Sequence, residues 1–170
     1  MTVLVVREAE PDDAAAVAGV HVRSWQGAYR GLLPDDYLDS LRPEDRMARY
    51  TFGSADRDLP STMVATEDGV VTGFVTTGPC RDADMVEAGE ILSLYVDPGA
   101  WGLGIGRRLM ADARARLERR FPRAVLWVLV GNDRAQRFYA IDGWVPDDSR
   151  RTEEIWGVSV DEIRYRRALP

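Results

Sequence analysis

From Asp97 the chain reads Asp-Pro-Gly-Ala-Trp-Gly-Leu-Gly-Ile-Gly-Arg-Arg, placing Gly102, Gly104 and Gly106 at alternate positions just before Arg107 and Arg108. This is a pattern for holding an anion. Glycines let the backbone approach a ligand without Cβ interference, and the unpaired N–H groups of a helix's first turn, with the positive end of its dipole, point at a negative group placed there. Phosphate is the natural guest, but two common phosphate loops do not fit. A Walker A loop requires G-x-x-x-x-G-K-[ST], whereas Arg107 and Arg108 follow Gly106. A Rossmann fingerprint requires G-x-G-x-x-G directly after a strand; here Leu109 stands in the last glycine position counted from Gly104, and the segment Asp97 to Trp101 lengthens the connection from Val96. A pyrophosphate cradle of another kind remains.

Such a cradle needs a strand before it and a helix after it. Glu90 to Val96 is read as the central strand and Gly104 to Arg120 as a long helix that Pro122 ends. Thr2 to Arg7 reads as a first strand, and Pro11-Asp12-Asp13 as the acidic first turn of a helix carrying Ala14, Val17, Val20, His21 and Ser24 at helical spacing. Pro34 to Leu41 and Pro43 to Tyr50 read as short helices. Met63 to Thr66 and Val70 to Thr77 form a hairpin around Asp68-Gly69. Val125 to Val130, Asp133 to Ile141, Gly143 to Val145 and Glu162 to Arg167 supply strand, helix, strand and strand. This alternation predicts an α/β or α+β architecture, with residues 1–170 as one domain.

Composition agrees and limits the partners. A chain of 170 residues, 45% hydrophobic and 29% charged, has the size and apolar content of an ordinary folded domain. Its longest apolar runs, such as Val125 to Val130, fall far short of the ~20 residues of a membrane helix. Met1 to Arg7 lacks a basic leader followed by an extended apolar region, and Cys80 is the single cysteine, so a cytoplasmic location without membrane or disulfide is expected. A net charge of −6 argues against nucleic acid as partner. Of the local arginine run, Arg107 and Arg108 are near enough to the cradle to meet a ligand, while Arg114, Arg116, Arg119 and Arg120 read as a solvated face.

The spacing resembles the signature of the GNAT superfamily of N-acetyltransferases, R/Q-x-x-G-x-G/A after a strand ending in a Val-x-Pro-like step. Its positions are Trp101, Gly102, Leu103, Gly104, Ile105 and Gly106, preceded by Leu94-Tyr95-Val96-Asp97-Pro98. Trp101 departs from the usual Arg or Gln. A second motif follows in order: the strand Leu126 to Val130, the segment Asn132 to Phe138-Tyr139 in the pattern Asn-x-x-A-x-x-F-Y, and Gly143-Trp144. The chain therefore resembles a bacterial member of this superfamily whose acceptor is unassigned. The resemblance implies a central, mixed, mostly antiparallel sheet of six to seven strands flanked by helices and splayed where acetyl-CoA enters.

The resemblance further implies that acetyl-CoA, with no metal, is held by Leu94, Val96, Trp101, Gly102, Leu103, Gly104, Gly106, Arg107, Asn132, Ala135, Phe138 and Tyr139. The Val96 N–H would polarise the acetyl carbonyl, and Tyr139 would be the general acid at the sulfur, since a phenol near pKa 10 can donate to a thiolate. Asn132 would bind the cofactor arm or cap the following helix. Glu90 matches a position from which some members activate the amine, and His21, the only histidine, is a weaker candidate on an amphipathic helix. Trp25 and Tyr29, four apart, with Glu90, would meet the acceptor or pack the helix on the sheet. Cys80 is not expected to act as nucleophile, because direct transfer needs no covalent enzyme intermediate. The reading is an acetyltransferase acting on a small-molecule primary amine in a ternary complex. A protein or peptide acetyltransferase, a non-catalytic CoA-binding module, and the choice between monomer and homodimer stay open.

Overall fold

The structure is a computed structural model describing Met1–Pro170. Seven strands form one sheet: β1 (Leu4–Glu8), β2 (Ser61–Glu67), β3 (Val70–Pro79), β4 (Gly89–Val96), β5 (Arg123–Leu129), β6 (Val145–Ile155) and β7 (Val158–Ala168). Their spatial order is β1-β2-β3-β4-β5-β7-β6, antiparallel throughout except for β4 and β5. The expected mixed, mostly antiparallel sheet is therefore present. Five helices accompany it: α1 (Ala14–Ala28), α2 (Asp35–Ser40), α3 (Glu44–Met47), α4 (Ile105–Leu117) and α5 (Asp133–Ile141). No helix is long and apolar enough to cross a membrane.

Side-chain alternation along β3 shows how the helices are divided. Phe74 packs with Val17 and Val20 of α1, whereas its neighbour Val75 packs with Ile105 and Leu109 of α4. Successive strand residues face opposite sides, so α1 and α4 cover opposite faces of the sheet. The larger core lies under α4 and runs across β2, β3, β4, β5 and β7, from Met63 to Leu126 and Tyr165.

Several boundaries differ from the sequence expectation. The acidic turn Pro11–Asp13 is a separate 3-10 turn before α1, and α4 ends at Leu117 rather than Arg120. There the amides of Arg120 and Phe121 both donate to the Leu117 carbonyl, a tightened turn that precedes Pro122. The largest difference is β6. In place of a short piece at Gly143 to Val145 it runs from Val145 to Ile155, because β7 supplies a pairing edge for a stretch too polar to read as a strand.

The functional geometry follows from one bulge. In the β3–β4 register Thr76 faces Ser93 but Thr77 faces Ile91, so Leu92 is an extra residue on β4. Bulges bend the strand that carries them. The parallel pairing of β4 with β5 covers only Gly89 to Ile91 against Ala124 to Leu126, and beyond Leu92 the two strands part.

Candidate active site

The parting of β4 and β5 opens a cavity of about 560 Å³. Its floor is formed by Leu92 to Val96 on one side and Trp127 to Leu129 on the other, with the cradle at one end and α1, α3, β6 and β7 at the other. Of the residues expected to bind cofactor or acceptor or to catalyse, all but one line it: Trp25, Tyr29, Glu90, Leu94, Val96, Trp101, Gly102, Gly104, Gly106, Arg107, Asn132, Ala135, Phe138 and Tyr139. The exception is Leu103. Its side chain is exposed to solvent and it does not line the cavity, because the two left-handed glycines beside it turn it outward. Arg108 likewise stays outside; Arg107 alone of the pair reaches the rim.

At the cradle end, Gly102 and Gly104 have φ of +80° and +86°, and a Cβ built on either would meet no atom within 4 Å. Open space above two left-handed residues, directly before the first turn of α4, is the form an anion site takes. Trp101 donates its Nε1 to the Val96 carbonyl at 2.8 Å, and the Arg134 guanidinium lies 3.6 Å from the centre of the indole. A guanidinium thus stands beside the position where Arg or Gln is usual, held by the face of the indole that replaced it. Asn132 caps α5: its Oδ1 accepts from the Ala135 amide at 3.2 Å. Of the two roles open to it in the sequence, the structure displays the cap.

Strand parity settles where the β4 amides point. Asp97 N donates to Thr72 O across the β3–β4 pair at 2.8 Å, and antiparallel pairing alternates, so the N–H groups of Val96 and Leu94 turn away from β3 and into the gap. The Val96 carbonyl is already occupied by Trp101 and by Ser24 Oγ at 3.0 Å. Tyr139 lies near Phe138, with ring centres 5.6 Å apart, and burial pushes its phenol above the ordinary range. Burial does the same to Tyr29 and Tyr95. All three remain protonated donors at neutral pH.

The far end holds charge. Glu90 is almost wholly buried, not solvated, and both its oxygens are taken by the Arg81 side chain, at 3.1 and 3.3 Å, with a third bond from the Arg81 amide. Glu162 of β7 is also buried, but only its Oε1 is engaged, by Arg151 Nε at 2.9 Å, and burial raises its carboxyl above the usual range. His21 bonds Tyr50 through Nδ1 and stacks on Tyr95 with ring centres 4.9 Å apart. Burial and the nearby Arg46 hold its pKa down at about 3, so it is a neutral wall residue. Trp25 is buried in a cluster with Val22, Leu38 and Leu41, while Tyr29 packs edge-on against it. Burial lifts the Cys80 thiol to about 11, the opposite of an activated nucleophile.

The model of the acetyltransferase (GNAT) family matches residues 22–144. The chain belongs to this family. An uncharacterized N-acetyltransferase of Archaeoglobus fulgidus is 37% identical over 151 residues, covering 87% of this chain and 94% of the relative. The uncharacterized N-acetyltransferase YuaI of Bacillus subtilis is 33% identical over 131 residues, 76% of this chain and 73% of its own. Among solved structures, the PaiA N-acetyltransferase of Thermoplasma acidophilum in complex with coenzyme A shares the fold at a TM-score of 0.70 and 19% identity, covering 98% of this chain and 99% of that one.

Within this GNAT acetyltransferase, five charged cavity residues escaped the sequence reading: Arg46, Arg134, Arg151, Glu153 and Glu162. Arg134 sits inside the second motif, and the aromatic at position 101 was the available signal for it. Glu162 had a weaker one, its place at the start of the strand expected from Glu162 to Arg167. Arg46 had none, because a charged residue in a short polar segment reads as solvated.

Proposed function

We propose that this protein binds acetyl-CoA along the β4–β5 gap and transfers its acetyl group to the primary amine of a small molecule, by direct attack in a ternary complex. The observation that carries the reading is the gap itself: a glycine cradle and helix N-terminus at one end, inward β4 amides in the middle, and an aromatic, charged chamber at the other. Residues 1–170 act as one catalytic domain in this reading, since every strand belongs to one sheet. A cavity of about 560 Å³ is of the size that takes a small ligand, whereas a peptide would need an extended groove.

Acetyl-CoA fits the residues present. The backbone of Gly102 to Gly106 and Arg107 would hold its phosphates, Arg134 on Trp101 adding a second cation. The thioester supplies an activated acyl group. Val96 N–H donates to the carbonyl oxygen as charge gathers there. Glu162, through its free Oε2, takes the proton the amine loses, and Tyr139 gives a proton to the departing sulfur. We assign the base to Glu162 rather than Glu90 because both Glu90 oxygens are occupied.

Incubation with acetyl-CoA and a panel of small amines, read by free-thiol release and mass of the acetylated amine, tests the whole reading; thiol release without any acetylated amine would leave only cofactor binding. Gly104→Val is expected to weaken CoA binding by at least about tenfold, since a β-branched residue is strained at this φ and its Cβ enters the cradle. Calorimetric titration giving an unchanged Kd would remove the cradle assignment. Glu162→Gln is expected to lower kcat/KM by about 100-fold. Burial raises the Glu162 carboxyl, so its basic form appears only as pH climbs through a value above the ordinary glutamate range. Wild-type kcat/KM should therefore rise with pH there, and Glu162→Gln should flatten that limb while Glu90→Gln keeps it.

A further inference from the structure

Two arginines of this chain are buried, and they are treated very differently. Arg164, 4% exposed, is surrounded by three carboxylates, whereas Arg46, 7% exposed, has none. Its Nε and Nη2 are shut off from solvent without any hydrogen-bond partner. The side chain lines the acceptor end of the cavity, its guanidinium resting 3.9 Å from the centre of the Trp156 ring. Trp156 is itself fixed, its carbonyl accepting from the Tyr37 hydroxyl at 2.6 Å. A guanidinium cannot neutralise itself by losing a proton, and an unpaired buried charge is costly, so the arrangement is complete only when an anion enters.

The geometry specifies that anion. Nη1, which no hydrogen bond engages, is the nitrogen not shut off from solvent, so an entering carboxylate oxygen meets the guanidinium there, and a turn of the planar fork brings a second N–H to the other oxygen for the paired grip typical of arginine and carboxylate. Only one charge is available to it. The other cations on the chamber wall, Arg81 and Arg151, are already paired with Glu90 and Glu162. A monoanion therefore balances the site, whereas a phosphate dianion would not.

We propose that Arg46 anchors a carboxylate of the acceptor, so that the amine acetylated by this protein belongs to an amino acid or a closely related amino carboxylate. Arg46 grips the acid end, the aromatic wall of His21 and Tyr95 packs the intervening carbons, and the amine is left to face Glu162 and the gap. The proposal rests on the acetyl-transfer reading for the identity of the bound molecule as the acceptor.

The test uses the full chain with CoA present, titrated with free α-amino acids and, in parallel, with their carboxamides, following melting temperature and tryptophan fluorescence. At least one acid should bind about 30-fold or more tightly than its amide, the scale expected when one partner of a buried charge pair is removed. Arg46→Met should erase that preference, and Arg46→Lys should restore part of it; retained preference in a folded Arg46→Met would overturn the anchor. So would amides binding as well as acids, inorganic phosphate binding as tightly as the best acid, or no response to any acid. Thiol release separates the two readings. An acid that binds through Arg46 yet is never acetylated keeps the anchor and removes the acetyl-transfer reading, whereas acetylation confined to amines without a carboxylate does the reverse.

Discussion

With Tyr139 as the proposed acid at the sulfur, Tyr139→Phe is expected to lower kcat by about 100- to 1,000-fold, within the range that a positioned acid contributes, and to leave the Kd for CoA nearly unchanged. The ring stays the same size, so packing against Phe138 and the cluster around it persists. What disappears is the only proton the side chain can give. At first sight the raised pKa of the phenol makes it a poorer donor, since a free thiol lies near 8.5. Desolvation acts on both partners, however: in the same dry gap a thiolate is destabilised too, so its affinity for a proton climbs with that of the phenolate. The gap between them stays small, while the phenol is guaranteed to be protonated when the reaction begins. Single-turnover measurements decide the matter, because the loss should fall on the chemical step; full turnover by Tyr139→Phe would mean that water protonates the sulfur.

Arg164→Met is expected to cost about 3–5 kcal/mol of stability, the usual penalty for removing one member of a buried ionic cluster. Arg164 Nε bonds Asp147 of β6 at 2.7 Å, and its two terminal nitrogens bond Asp82 and Asp84, on the connection after β3, at 2.7 to 3.0 Å. Three acids keep this guanidinium charged beyond its ordinary range. Without it, Asp147 and Asp82 are left mutually repelling and largely shielded from water. Asp84 is mostly exposed, so Asp84→Asn should move the midpoint far less than Arg164→Met does. Denaturant titration of both variants, compared by midpoint at equal slope, gives the contrast. Equal midpoints for Arg164→Met and the parent would show that the cluster adds no net stability.

The two halves of the cavity were unequally legible in the sequence. The cradle half is written locally. Phosphate is cradled by backbone conformation, so Gly102 to Gly106 and Asn132 to Tyr139 carry most of the information within two short segments. The acceptor half is assembled from separate places: Arg46 on α3, Arg81 after β3, Arg151 on β6 and Glu162 on β7. No spacing links them, and Arg46, Arg151 and Glu162 each look like a surface charge until the chain folds. The same physics hid β6. Asp147 to Glu154 offers no apolar alternation because the strand lies at the sheet's rim and neither face is fully covered. Glu90 could be named by position, but its environment was not legible, since its ion pair with Arg81 is made only when β3 and β4 lie side by side.

The parting of β4 and β5 also bears on self-association. Unpaired strand edges are templates for another chain, and a sheet that opens in its middle creates two more of them. Here those edges face each other inside the molecule, reachable by a thin ligand but not by the flank of a second sheet. The outer edges are guarded in the usual ways: β1 is five residues long, and β6 presents Asp-Asp-Ser-Arg-Arg-Thr-Glu-Glu. The protein can therefore hold its gap open between turnovers without inviting edge-to-edge aggregation, so an empty enzyme should withstand concentration as well as a filled one.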